Sequence, residues 1–141
     1  MSIARYSFRM GSFSILRTST SGAPLISVID DDESVRSSLV LLLRSRGFRS
    51  QGYASGEAFL GVEDGLSSQC LVVDVRLKGM TGLALQACVR SQRPTIPIIL
   101  ISAHRDEEAE RRALKAGALA FLIKPFSEDT LLSSIASALS Q

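Results

Sequence analysis

Apolar residues in this chain fall into two patterns, short unbroken runs and stripes at helical spacing. The runs are Pro24-Leu25-Ile26-Ser27-Val28-Ile29, Cys70-Leu71-Val72-Val73, Ile98-Ile99-Leu100-Ile101 and Leu119-Ala120-Phe121-Leu122-Ile123. Runs of this length read as strands buried on both faces. Residues 48–53 read as a weaker second strand. Between the runs lie helical stretches. Val35, Leu39, Leu42 and Leu43 mark the first, which Gly47 stops because glycine tolerates positive φ. Ser55 caps a short second helix with Ala58, Phe59 and Leu60 inward. Residues 82–91 form a third, packing through Leu83, Leu85 and Ala87. Residues 106–116 form a charged fourth. Ser127 caps the last, whose buried stripe is Leu131, Leu132, Ile135 and Leu139.

Strand and helix thus alternate five times. Such alternation implies a parallel sheet covered on both faces, with right-handed crossovers. The expected architecture is a flavodoxin-like, doubly wound (βα)5 three-layer sandwich, α/β in class, with strand order 2-1-3-4-5. That order sets strands one and three side by side where the winding reverses. Ligands bind there, beyond the carboxyl ends of the strands. Asp30 and Asp31 end strand one, Asp74 strand three, Ser102 strand four and Lys124 strand five. The sheet would gather the three acids into one cleft, with Ser102 and Lys124 on its rim.

Composition narrows the alternatives. The chain has 141 residues, 45% hydrophobic and 21% charged, suited to one soluble domain with one real core. No apolar run reaches the roughly 18 residues of a membrane helix. The net charge of +2 is misleading. Residues 1–23 hold Arg5, Arg9 and Arg17 and no acid, so the remainder carries thirteen Lys and Arg against fourteen acids. The folded part makes no electrostatic case for nucleic acid. Residues 1–23 read as a disordered extension ahead of a domain over 24–141. Their Arg/Ser content also resembles a transit peptide, but they lack a signal-peptide pattern. Cys70 and Cys88 are not in a metal spacing and read as buried thiols of a reducing, cytoplasmic protein.

Three clustered carboxylates repel, raising at least one pKa, and a divalent cation relieves this. Hard oxygen donors select Mg²⁺ or Mn²⁺. One carboxylate can then attack phosphorus, with a lysine and a hydroxyl on the phosphoryl oxygens. Asp74, Lys124 and Ser102 supply those parts. Singly each is weak evidence: acids before a helix often only cap it, as Asp32 and Glu33 are read to do. Phe121 alone would be core, and His104 surface.

Together, Val28-Ile29-Asp30-Asp31, Leu71-Val72-Val73-Asp74, Ile101-Ser102-Ala103 and Lys124-Pro125-Phe126 resemble the receiver domain of bacterial two-component response regulators, over residues 24–140. The resemblance implies that Asp74 is the phospho-acceptor. It implies that Asp31 and Asp74 bind Mg²⁺ directly, Asp30 through water, and the Arg76 carbonyl as a backbone ligand. Ser102 would be the switch hydroxyl, Lys124 the phosphoryl partner and Phe121 the switch aromatic. The Lys124-Pro125 bond is often cis in such domains. One departure stands out: Lys78 precedes Gly79 where a proline is usual.

The implied partners are a sensor histidine kinase or phosphotransfer protein. A downstream protein or a second copy would use the face within 106–139. No membrane and no direct nucleic-acid contact are expected. The chain stops soon after the last helix, which suits a stand-alone or relay receiver. The wording around Asp30 and Lys124 also resembles DNA-binding regulators of the nitrogen-fixation type, which suits a receiver cut from a longer protein. A small hydrolase of similar winding lacks support: there is no GxGxxG or P-loop, and Arg76 stands where a second catalytic Asp would.

Overall fold

The computed structural model describes residues 22–62 and 67–141. Disorder over 1–21 and the middle of the loop over 61–69 lie outside the described residues. Ala23, at the end of the expected extension, accepts a 2.8 Å hydrogen bond from Arg49.

Among the described residues there are five strands and five α-helices, alternating. In chain order they are β1 Leu25–Ile29, α1 Glu33–Ser45, β2 Arg49–Tyr53, α2 Gly56–Leu60, β3 Cys70–Asp74, α3 Gly82–Gln92, β4 Ile98–Ser102, α4 Glu107–Lys115, β5 Ala120–Ile123 and α5 Glu128–Leu139. The sheet is parallel throughout, in the order β2-β1-β3-β4-β5. The expected flavodoxin-like winding is the observed one.

Every residue of β1, β3 and β4 is buried. Alternate side chains feed two cores. Ile29, Leu71, Val73 and Leu100 pack with Phe59, Leu85, Val89 and Ala113 on one face. Ile26, Val28, Val72, Ile99 and Ile101 pack with Leu39, Leu43, Leu131 and Ile135 on the other. Two-sided burial explains why these strands read as runs rather than alternations.

Some inward assignments change. Ala58 and Ala87 are exposed, whereas Gly56, Gln86 and Val89 are buried. Alanine is small enough to suit either face, so its position is set by its larger neighbours. Leu132 and Leu139 are only partly covered, and Ala138 completes the buried stripe of α5. Cys88 is half-exposed, not buried. Cys70 is buried, and that burial pushes its thiol up to about 12.

The helix starts follow local chemistry. Asp32, Ser55, Thr81, Asp106 and Ser127 each accept an amide hydrogen bond from the third residue onward. At α3 the start is also a close approach. A Cβ on Gly82 would collide with the Asp74 carbonyl oxygen and lie 2.8 Å from Val75 Cα. Both obstacles are backbone, so the chain can relieve the clash only by moving the end of β3. Gly82→Ala should therefore cost about 1–3 kcal/mol, the usual range for overpacking. A lower urea midpoint at unchanged slope is the expected result.

Candidate functional site

The register of the sheet builds a stepped rim. Ile29 pairs with Val73, so Asp30 stands level with Asp74 on the neighbouring strand. Asp74 pairs with Ile101, which sets Ser102 one residue further out. Ser102 pairs with Ile123, which sets Lys124 one further still. An acid at the end of β1 and a base at the end of β5 thus reach the acid of the central strand.

Lys124 Nζ lies 3.1 Å from Asp30 Oδ2 and 3.1 Å from Asp74 Oδ2. Asp30 is fully buried and Asp74 is 7% exposed. The remaining oxygens have partners too. Asp30 Oδ1 accepts from the Asp32 amide at 2.9 Å, and Asp74 Oδ1 from the Arg76 amide at 2.9 Å. Asp31 Oδ2 accepts from the Lys78 amide at 3.2 Å. The Asp30 carbonyl accepts from Arg36 Nη1 at 2.8 Å.

Asp30, Asp31 and Asp74 each offer an oxygen within 4.8 Å of the others, an arrangement able to hold a metal ion. With all three ionised, one ammonium leaves the cluster two charges negative. Burial pushes the Asp30 carboxyl above the ordinary range; the Asp32 amide and Lys124 oppose that shift, and the Asp74 charge adds to it. Burial would lower the Lys124 ammonium, but its bonds to Asp30 and Asp74 outweigh burial and raise it.

The expected residues divide into two groups. Asp30, Asp31, Asp74 and Lys124 come together. Ser102 stands on the rim but its hydroxyl turns into the next loop, donating to the His104 carbonyl at 2.8 Å and accepting from the His104 amide at 3.2 Å. Phe121 is half-buried and packs on the core that includes Leu100. Asp32 and Glu33 are exposed, and Asp32 caps α1. The Lys124-Pro125 bond is cis. Two contributors carried no sequence signal: the Arg36 guanidinium, and Glu57 of α2, whose Oε2 accepts from the Met80 amide at 3.0 Å.

The site has a pH signature. Asp30 has a folded pKa above its unfolded value, so it subtracts stability as pH rises from that value through the folded one. Lys124 has the opposite sense: its stabilisation is full below its unfolded value and is lost as pH rises through its folded one. Asp30→Asn should therefore raise the melting temperature at neutral pH without divalent cation, by roughly 4 °C for each kcal/mol gained. The gain should shrink towards pH 3, where the wild-type carboxyl is protonated in both states. Melting curves across pH check it, and a gain that persists undiminished in acid would refute it.

Comparison with known proteins agrees with this geometry. The response regulator receiver domain family matches residues 26–136. The chain is 41% identical over 116 residues to the transcriptional regulatory protein FixJ of Bradyrhizobium diazoefficiens, covering 82% of this chain and 57% of that protein. It is 42% identical over 115 residues to the response regulator TmoT of Ectopseudomonas mendocina, covering 82% of this chain and 52% of the relative. The solved structure of the response regulator StyR superposes with a TM-score of 0.76 at 42% identity, over 84% of this chain and 60% of that one. The chain thus spans little more than half the length of these curated relatives. Matched fold, matched sequence and an acidic cluster at the reversal of the sheet place this chain in the response regulator receiver domain family.

Proposed function

We propose that this chain is a phosphorylation switch in which Asp74 takes a phosphoryl group from a phosphohistidine on a sensor histidine kinase or phosphotransfer protein. One observation carries the reading: the Lys124 ammonium bridges Asp30 and Asp74 at 3.1 Å each, beside Asp31, at the carboxyl end of the sheet. An Asp74 carboxylate oxygen forms the new bond to phosphorus as the donor's phosphorus–nitrogen bond breaks. The imidazole leaves with the electron pair and takes up a proton. Lys124 then pairs with the phosphoryl oxygens.

The donor set suits Mg²⁺ or Mn²⁺, being hard oxygens with a net negative charge. Asp31 and Asp74 would hold the ion directly, Asp30 through water, and the Arg76 carbonyl would complete the protein's share. When bound, the ion offsets charge on the transferring group.

Ser102 and Phe121 are the proposed switch. The Ser102 hydroxyl would leave His104 for a phosphoryl oxygen, and Phe121 would rotate into the space released. The face made by α4, β5 and α5 would change with it, towards a downstream protein or a second copy. Moving such an equilibrium from 1:99 to 99:1 takes about 5.5 kcal/mol. A charge-assisted hydrogen bond and an ion pair contribute on that scale. The chain would catalyse only its own phosphorylation and slow dephosphorylation. Both cysteines are free, which suits a reducing, cytoplasmic setting.

A second reading concerns output. FixJ is named a transcriptional regulator, and this chain spans 57% of it. The chain would then be the receiver part of a longer regulator whose remaining segment contacts DNA.

Incubation with Mg²⁺ and acetyl phosphate should add one phosphoryl group by intact mass, and Asp74→Asn should add none. Labelling of Asp74→Asn like the wild type would sink the acceptor assignment. Ser102→Ala should still accept phosphate but leave the Phe121 NMR signals unmoved. Mg²⁺ at a hundred times its Kd should stabilise the protein by about 2.7 kcal/mol, a gain Asp31→Asn should largely lose. Calorimetry with and without Mg²⁺ measures it.

A further inference from the structure

The loop between β3 and α3 is tied by alternate amides to three carboxylates. Arg76 N donates to Asp74 Oδ1 at 2.9 Å, Lys78 N to Asp31 Oδ2 at 3.2 Å, and Met80 N to Glu57 Oε2 at 3.0 Å. Val75, just before the first of these points, and Leu77, between the first two, are buried. Asp74 and Asp31 belong to the acidic cluster at the strand ends, whereas Glu57 sits on α2, outside it.

That difference matters when the site fills. A carboxylate engaged by a cation or by phosphorus is a weaker acceptor for its amide. Two of the three ties are thus exposed to the chemistry, and the third is not. The grip of α2 on this loop also has a second point. Gly56 is buried, and a Cβ there would lie 3.1 Å from Met80 Sδ, so the methionine side chain lies close over α2. Gly79 has φ of 72°, and a Cβ there would stand 2.7 Å from Glu57 Oε2. The turn, the glycine and the carboxylate fit one another. With Lys78 ahead of Gly79, no proline ring stiffens this turn.

We propose that Glu57 is a positioning residue for the phosphoryl-transfer site. It anchors the β3–α3 loop from α2, and so fixes the backbone at Arg76 and Lys78 while Asp31 and Asp74 change partners. This rests on the functional reading above. Glu57 is exposed and touches no reacting atom, so its effect passes through the Met80 amide.

The test compares Glu57→Ala with Glu57→Gln, which keeps an acceptor oxygen but not the charge. Mg²⁺ affinity is read by calorimetry and exchange of the Met80 amide by NMR, the latter without metal. Glu57→Ala should weaken Mg²⁺ binding roughly tenfold, as losses behind a metal's direct ligands do. It should also speed Met80 exchange and leave the melting temperature nearly unchanged. Glu57→Gln should restore both readings. Unchanged Mg²⁺ affinity in Glu57→Ala would overturn the proposal, and so would a Glu57→Gln as impaired as Glu57→Ala, since charge rather than the hydrogen bond would then be at work. If the wild type binds no Mg²⁺, the functional reading itself fails. Met80 exchange still reports on the loop anchor in that case.

Discussion

The Lys124 ammonium sits between two carboxylates, one of them without any exposure to water. Three carboxylates and one ammonium in so little solvent do not balance, and desolvation makes the imbalance costly. A fold keeps such a cluster only if other forces over-determine it. Here those forces are the two hydrophobic cores, which lock the register of β1, β3, β4 and β5. Asp30 and Lys124 are 94 residues apart in sequence, so nothing local joins them. The sheet pulls them together, and its apolar faces supply the free energy that holds charge at its edge.

This division of labour explains why the site was legible before the structure. A strand buried on both faces has no room for an ionised side chain except at its end. The polar residue closing each apolar run is therefore conspicuous, and Asp30, Asp74, Ser102 and Lys124 were identifiable on that ground. The reversal between β1 and β3 then says which ends converge. The helices were less legible. Their faces depend on which side chains fill which gaps, so Ala58 and Ala87 pointed the other way. Gln86 was missed as a buried residue because polarity suggests exposure. Its Nε2 in fact donates to the Ala113 carbonyl at 3.0 Å, which satisfies the buried amide.

Contacts through the backbone left no trace in the pattern of residue types. That Glu57 accepts from Met80, or that Asp31 accepts from Lys78, depends on where a loop amide points. An acid in the first turn of a short helix reads equally well as dipole complementarity. The same holds for Ser102. Its position was readable, but the direction of its hydroxyl is set by the turn that brings His104 back over it.

One element links Asp74, the proposed acceptor, to the face expected to change. The start of α3 presses on the Asp74 carbonyl, where only glycine fits. Its middle is bonded to α4 through Gln86 and Ala113. Its last turn sends Arg90 to the carbonyls of Ile96 and Gly117, which flank β4 and α4. Movement of α4 must therefore either break these bonds or carry α3 with it, and the start of α3 lies against the Asp74 carbonyl with the Gly82 amide bonded to the Val75 carbonyl. Distance between Asp74 and α4 is then no barrier to the proposed coupling, because a single packed helix touches both.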